Sequence, residues 1–281
     1  MSYMIRSARL MDADALSALA NSLSARGFLT LPERPEEMEK LIALSEQSFR
    51  TTAKPSDQAR FVFVMEDMDK RRVIGCSLIV ARHGTEDLPH LYFQVDEEKG
   101  TLNFQSDAEG RTELGGLILD PEYRKRPEKL GKGLSLIRLL FIKRNPALFK
   151  DDLLAEFLPP FAPDGKSHLW ESLGRRLTGL GYREADEKSR RDKRFVLSVF
   201  PRGPILMSSL SEEAQMSVGV VGPETEGAVK LLRSVGFGYL HQIDPFDGGP
   251  HYGVKKSEVK YDVVEDFLFE QREIKWMFSP S

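Results

Sequence analysis

Apolar positions along the chain follow two periods, one suited to strands and one to helices. Met4-Ile5-Arg6-Ser7-Ala8 reads as a short opening strand. Asp12 is suited to cap a helix in which Leu16, Leu19, Ala20 and Leu23 share one face. Pro32 and Pro35 punctuate the next connection, a helical stretch follows from Glu36 to Phe49, and Thr51 to Gln58, with Pro55, reads as an exposed loop. Phe61-Val62-Phe63-Val64-Met65 is strongly β-forming. The polar Asp67-Met68-Asp69-Lys70 then makes a turn into a return strand from Val73 to Val80. Shorter strands are expected around Leu91-Tyr92-Phe93 and Leu102-Asn103-Phe104.

Glu113 to Leu119 reads as a buried strand ended by Asp120-Pro121. A helix is expected from Gly133 to Lys143, with Leu136, Leu139 and Leu140 facing inward. Lys150 to Asp152 leads into a strand from Leu153 to Leu158, which Pro159-Pro160 stops. A loose internal echo follows. Leu169 to Leu180 is helical and runs into Gly181-Tyr182, and Ala228 to Val235 is helical and runs into Gly236-Phe237. Each glycine suits a left-handed helix end, and a strand is expected after it. Lys255 to Ser281, with Phe267, Phe269, Trp276 and Phe278, reads as a docking strand or arm.

The 281 residues are 41% hydrophobic and 30% charged, enough to bury a full core without disulfides or metal. Forty basic against 43 acidic side chains give a net charge of −3, which excludes a uniformly basic nucleic-acid binder. Cys76 is the only cysteine, so neither an internal disulfide nor a multi-cysteine zinc cluster is expected. The most apolar stretch, Leu134 to Ile142, contains Arg138 and falls far short of the roughly 20 residues that span a bilayer. The start of the chain, with Arg6, Arg9, Asp12 and Asp14, lacks an apolar signal core. No membrane and no nucleic acid are therefore expected as partners, and the cytoplasm is the expected location.

Chemistry concentrates in the segment from Leu117 to Gly133. A buried strand feeds a basic loop, and Gly131 and Gly133 open a helix. From Arg124 to Lys132 there are five basic residues (Arg124, Lys125, Arg126, Lys129, Lys132) and one acid (Glu128), a local charge of +4. Glycines admit close backbone approach, and the free N–H groups of a first helical turn point at an anion, so a diphosphate fits. A solvated basic loop before a glycine-opened helix fits the same residues. The segment lacks the Gly-Lys-Ser/Thr ending of a nucleotide-triphosphate loop and the glycine spacing of a dinucleotide fingerprint.

The order of elements resembles the acyl-CoA N-acyltransferase (GNAT) fold, and Glu128-Lys129-Leu130-Gly131-Lys132-Gly133 resembles its pyrophosphate loop. Glu128 stands where that loop has Arg or Gln, leaving Lys129, Lys132 or Arg126 to compensate. From about Phe61 to Pro250 the chain also resembles the arginine N-succinyltransferase family. The matching blocks include Val62 to Asp67, Glu113-Leu114 with Leu117 to Pro121, Ala155-Glu156, Trp170 to Arg176 with Ala185-Asp186, Pro204-Ile205 and Glu213-Ala214-Gln215. The most specific is Asp244-Pro245-Phe246-Asp247-Gly248-Gly249-Pro250.

The resemblance implies an α/β protein with a twisted mixed sheet flanked by helices, and a second helix–strand elaboration resembling the same fold. It divides the chain into an acyl-CoA-binding half at 1–145, a half at 146–254 that completes the sheet and amine site, and an arm at 255–281. It implies succinyl transfer from succinyl-CoA, or another acyl-CoA, to the α-amine of arginine or ornithine, without a metal. Leu117 and Leu119 on the strand, with Arg124, Arg126, Lys129, Gly131, Lys132 and Gly133, are then the cofactor-binding residues. A backbone N–H of the strand would stabilise the thioester oxyanion. The family's Gly-x-Val-His-Pro reads Gly219-Val220-Val221-Gly222-Pro223 here, so Gly222 stands at its acid/base histidine. Its Ala-Glu-x-Arg-Gly reads Ala155-Glu156-Phe157-Leu158-Pro159, so an arginine has become Leu158.

Candidate replacements are His251 as base and Glu113, relaying with Glu156 through water. Asp244 and Asp247, with Gly248 and Gly249, are candidates to hold the substrate cation or, equally, to satisfy turn N–H groups. Tyr123 and Tyr252 are candidate proton donors to the thiolate. His241, Cys76, Trp170 and the Phe61/Phe63 pair read as structural, and His83, His90 and His168 have no partner suggesting metal binding. The departures leave three readings: the family's own reaction, transfer between a different amine and acyl group, or an inactive partner subunit or CoA-binding protein. A homodimer and a heterodimer with a homologous subunit both stay open.

Overall fold

The computed structural model describes residues 2–24, 31–51, 57–191 and 193–277. Eleven strands occur in chain order: β1 (Tyr3–Ser7), β2 (Arg60–Asp67), β3 (Arg72–His83), β4 (His90–Asp96), β5 (Thr101–Asp107), β6 (Arg111–Leu119), β7 (Asp152–Glu156), β8 (Ile205–Leu206), β9 (Gly238–Ile243), β10 (Pro250–Lys255) and β11 (Ile274–Met277). They form one mixed sheet in the order β11-β1-β2-β3-β6-β7-β10-β9-β4-β5-β8. The β1–β11 and β6–β7 pairs are parallel and the rest antiparallel. The helices are α1 (Ala13–Ser24), α2 (Pro35–Arg50), α3 (Leu130–Arg144), α4 (Arg175–Thr178), α5 (Tyr182–Arg191), α6 (Lys193–Val199), α7 (Glu212–Ser217), α8 (Glu226–Ser234) and α9 (Tyr261–Glu270). The expected twisted sheet with flanking helices is thus present.

Three apolar clusters order the layers. On one face α3, α8 and α9 pack against Phe61, Phe63, Leu114 and Ala155. On the other, α1 and α2 bury Leu16, Ala20, Met38 and Ile42 against Val62, Val64, Leu78 and Ile118. Alternate residues of β2 thus serve opposite layers, which explains why its run of apolar residues has no polar gaps. A third cluster lies at the β4–β5–β8 end, where Trp170 and Phe246 stack with ring centroids 5.0 Å apart.

Several elements differ from the sequence expectations for identifiable reasons. Asp12 sits just before α1, but its carboxylate is held by Arg6 at 2.7 and 3.0 Å and by the Arg9 N–H, rather than capping that helix. Leu169 to Leu180 is not one helix. A π-helical turn over Trp170–Gly174 is followed by one α-turn that ends at Gly179, φ +73°, two residues before the expected glycine. Helix α5, not a strand, then follows. The echo holds only at Gly236, φ +113°, where β9 follows α8. Helix α3 begins at Leu130, three residues earlier than expected, and β8 was not foreseen. The tail supplies α9 and a docking strand, β11. The Leu23 side chain, residues 52–56 and Phe278 lie outside the described residues.

Phe61 is fully buried with its ring 5.1–5.3 Å from Phe49, Phe141 and Phe149, where β2 meets α2 and α3. Phe61→Ala is expected to cost about 3–5 kcal/mol in urea unfolding, the range for emptying such a site. A loss below about 1 kcal/mol would show that this aromatic contact does not organise the core.

Candidate active site

The site is set by where two neighbouring strands part. β6 and β7 run parallel and are registered only at Thr112–Leu153 and Glu113–Leu154. Beyond these pairs β6 continues to Leu119 along β3, with its register shifted between Cys76 and Leu78. The shift falls at Gly116, φ +57°, where an added β-carbon would also lie 2.9 Å from Leu78 Cβ. This bulge breaks the ladder and re-aims the strand at Leu117, which is half-buried. The Gly115 carbonyl accepts a 3.0 Å hydrogen bond from Arg138, a buried guanidinium on α3 that also donates to Ser135. Burial lowers Arg138 to about 10, which leaves it charged at neutral pH.

The basic loop leaves the end of β6 and enters α3. No side chain caps that helix, and its N-cap, Lys129, is left-handed at φ +52°. The Leu130 and Gly131 N–H groups therefore head an uncapped first turn. The loop's cations divide into two groups. Arg124 donates from Nε to the Leu119 carbonyl at 3.0 Å. Arg126 lies 4.2 Å over the ring of Tyr123, whose hydroxyl donates to Asp67 at 2.8 Å. These two arginines hold the loop, and Tyr123 is fully buried, away from any leaving thiolate. Lys129 is exposed, and Lys132 lies over the ring of Phe267 at 4.2 Å with its ammonium pKa lowered by burial. Leu119 is committed to the core. A β-carbon at Gly133 would come within 3.0 Å of Ile274, so that glycine admits β11 rather than a ligand. Gly131 has room around it, with its nearest neighbour at 3.7 Å.

Polar groups gather beside the notch. Leu114, Ala155 and Tyr252 pack on the α3 side, so strand alternation turns Glu113, Glu156 and His251 to the opposite face. His83, on the last residue of β3, and His90, on the first of β4, meet them there with ring centroids 4.6 Å apart. His83 Nδ1 is 2.8 Å from Glu113 Oε2, and His90 and His251 stack at 5.3 Å. Glu156 Oε1 lies 3.1 Å from His90 Nε2, 3.6 Å from His83 Nε2 and 3.8 Å from His251 Nε2. The fold thus brings the expected Glu113, Glu156 and His251 together and adds two histidines that their sequence neighbours do not mark.

The same geometry argues against His251 as base. It sits on β10 with 0% exposure, not in a loop, and burial takes its pKa down to about 3. Such an imidazole stays neutral and has no open path to a substrate amine. Burial lowers His90 as well. For Glu156 burial works upward, but His251, His90 and His83 around it hold the carboxyl well below the usual range.

Asp244 and Asp247 make the turn between β9 and β10. Asp244 Oδ1 accepts the N–H groups of Phe246 (2.7 Å) and Asp247 (3.0 Å), and Asp247 Oδ1 accepts that of Gly249 (2.7 Å). The turn needs both glycines. Gly248 has φ +82°, and a β-carbon at Gly249 would lie 2.1 Å from the Phe157 carbonyl oxygen. Burial, reinforced by Glu156, pushes Asp244 up to about 7, and burial, with Asp244 beside it, raises Asp247 well above its usual range. Gly222 donates its N–H to the Leu158 carbonyl at 2.8 Å, and a β-carbon there would lie 2.6 Å from the Pro159 carbonyl oxygen. The backbone is closed around this position, so no side chain fits without moving it. His241, at φ +54° on β9, pairs with Glu97 at the surface, 3.0 Å away.

Comparison with known proteins agrees with this architecture. The family model for the arginine N-succinyltransferase beta subunit matches residues 3–261. The arginine N-succinyltransferase subunit beta of Pseudomonas aeruginosa is 32% identical over 268 residues, covering 91% of this chain and 77% of that protein. The arginine N-succinyltransferase of Citrobacter koseri is 33% identical, covering 93% and 80%. The solved arginine/ornithine succinyltransferase subunit AI from Pseudomonas aeruginosa superimposes with a TM-score of 0.76 at 26% identity, over 92% of this chain and 78% of that one. The chain belongs to the arginine N-succinyltransferase beta subunit family.

Proposed function

We propose that the chain transfers a succinyl group from succinyl-CoA to the α-amine of a basic amino acid, arginine or ornithine. The observation that carries this reading is the parting of β6 from β7 beside an uncapped, basic helix start. The diphosphate of CoA lies on the Leu130 and Gly131 N–H groups, with Lys129 and Lys132 supplying charge. The pantetheine amides pair with the re-aimed edge of β6 at Leu117. A β6 N–H there stabilises the oxyanion as the amine nitrogen attacks the thioester carbon. The C–S bond then breaks. The nitrogen's proton passes to water in the notch, and the departing thiolate takes one in turn. Asp244, Asp247 and Glu156 put carboxyl oxygens in the far wall, and a second cationic group on the substrate would draw the two raised aspartates into their ionised form. The family relatives named as subunits support a partnership with a homologous chain, and acyl-CoA chemistry with an unpaired Cys76 suits the cytoplasm.

A second reading is favoured by Gly222 and Leu158. With no side chain at the family's histidine position, the chain serves as a CoA-binding partner subunit, or it acts on another amine and acyl pair.

Thermal denaturation with succinyl-CoA, acetyl-CoA and free CoA tests binding, because a ligand of the folded state raises the melting temperature. Succinyl-CoA is expected to raise it; no shift with any of the three removes the enzyme readings. Lys129→Ala with Lys132→Ala is expected to weaken CoA binding at least tenfold, in line with the loss of charge-assisted contacts of about 1.5–3 kcal/mol. Unchanged affinity removes the loop assignment.

Thiol release with arginine or ornithine separates catalysis from binding alone. Release is expected, and saturable succinyl-CoA binding without release with either amine supports the partner reading. Asp247→Asn keeps an acceptor for the Gly249 N–H but removes the ionisable carboxyl. It is expected to raise the KM for arginine about tenfold, the loss of one modest charged contact, and to leave the KM for succinyl-CoA unchanged. An unaltered KM for arginine would remove Asp247 from the substrate site.

A further inference from the structure

The histidines beside the notch have no part in the acyl transfer above, yet they are built with care. His83 places Nδ1 2.8 Å from Glu113 Oε2. A ring that donates its Nδ1 proton to a carboxylate carries its lone pair on Nε2. That Nε2 faces Glu156 Oε1 at 3.6 Å. His90 Nε2 faces the same oxygen at 3.1 Å, yet the two are not aligned as a hydrogen bond. Among the described residues, neither ring nitrogen of His90 nor Glu156 Oε1 has a hydrogen-bond partner, although all three atoms are cut off from solvent. His90 itself is 3% exposed. Buried polar groups are normally hydrogen-bonded, so the convergence of these three calls for a further partner.

The spacing says what kind. One donor atom from each of His83, His90 and Glu156 lies within 4.8 Å of the other two. In tetrahedral zinc sites metal–nitrogen and metal–oxygen bonds of about 2.0–2.2 Å put neighbouring ligand atoms about 3.3–3.5 Å apart. The separations of 3.1 and 3.6 Å bracket that range. We propose that His83 Nε2, His90 Nε2 and Glu156 Oε1 bind one divalent first-row transition ion of zinc-like chemistry, with Glu113 as the carboxylate behind His83.

Two imidazoles favour such an ion over magnesium or calcium, which take oxygen ligands. A carboxylate on the second nitrogen of a ligating histidine is the arrangement that orients the ring and raises its basicity. Three protein ligands leave one position open for water or a substrate group, as in catalytic rather than structural zinc sites. His251 and Asp244 also approach Glu156 within the same 4.8 Å limit. The partial exposure of His83 (30%) and Glu156 (27%) gives the ion a way in. Glu156 also lines the amine site proposed above, but none of the three ligands belongs to the CoA loop, so ion binding is read without acyl transfer.

The test is cobalt(II) and zinc titration of the full chain after treatment with a chelator. One equivalent of cobalt is expected to bind with visible d–d absorption, zinc is expected to displace it, and elemental analysis should find one zinc per chain. His90→Asn and Glu156→Gln are each expected to lose at least tenfold in affinity, and Glu113→Gln about 10–100-fold, as other outer-shell partners do. X-ray absorption on the zinc-loaded wild type should resolve two imidazole ligands, a readout that needs no variant to fold. The proposal is overturned if folded wild type takes up no stoichiometric zinc or cobalt. It is equally overturned if the bound ion shows no imidazole, or if folded His90→Asn binds as tightly as wild type.

Discussion

Two registered residue pairs, Thr112 with Leu153 and Glu113 with Leu154, join β6 to β7, and the rest of the site depends on the join being that short. Thr112 is the pin of this seam. Its buried hydroxyl donates to the Ala81 carbonyl of β3 at 2.8 Å and accepts from the Lys150 N–H that leads into β7, at 2.9 Å. One side chain thus fixes three strands just before two of them separate. Past the Glu113–Leu154 pair, β3 is the strand that pairs with β6, helped by Arg138, which reaches from α3 to the Gly115 carbonyl, and by Arg124 at the Leu119 carbonyl. A charged group in that position is stable because its partners are in place; removing one would leave an unpaired guanidinium in the core.

Much of this was legible in the sequence because it is local. The glycines and cations between Arg124 and Gly133 marked the loop, and Asp244 to Pro250 marked a turn that uses each of its polar groups. What the sequence could not assign was the division of labour within those segments. Arg124 and Arg126 hold the loop instead of facing outward, and Gly133 is small to admit Ile274. Both facts depend on elements far away in the chain. The region from Leu169 to Leu180 misled for a different reason. Its helical spacing is real, but Gly174 packs against the Trp170 ring, and the π-turn there shifts the phase of all that follows.

The histidines were illegible by the same logic. His83, His90, Glu156 and His251 come from β3, β4, β7 and β10, and β4 reaches the others only because it pairs with β9 on the far side of β10. Their one local signal is a pair of histidines bracketing the loop between consecutive strands. Gly222 and Leu158, by contrast, stood out at once as departures from the family. The structure adds that the chain around Gly222 has closed over the space a side chain would need.

The parallel pairing of β1 with β11 bears on how such a molecule is made. Tyr3 lies beside Ile274, and Ile5 beside Trp276. During synthesis on the ribosome β1 can join β2 early, but its other edge must wait until almost the whole described chain has emerged. An unpaired strand edge is a template for misassociation, and pairings this distant in sequence form slowly. Since Ile274 also packs over Gly133, the first turn of α3 is completed only at that late step. The nascent protein therefore lacks a finished start to α3 until its last strand closes the sheet.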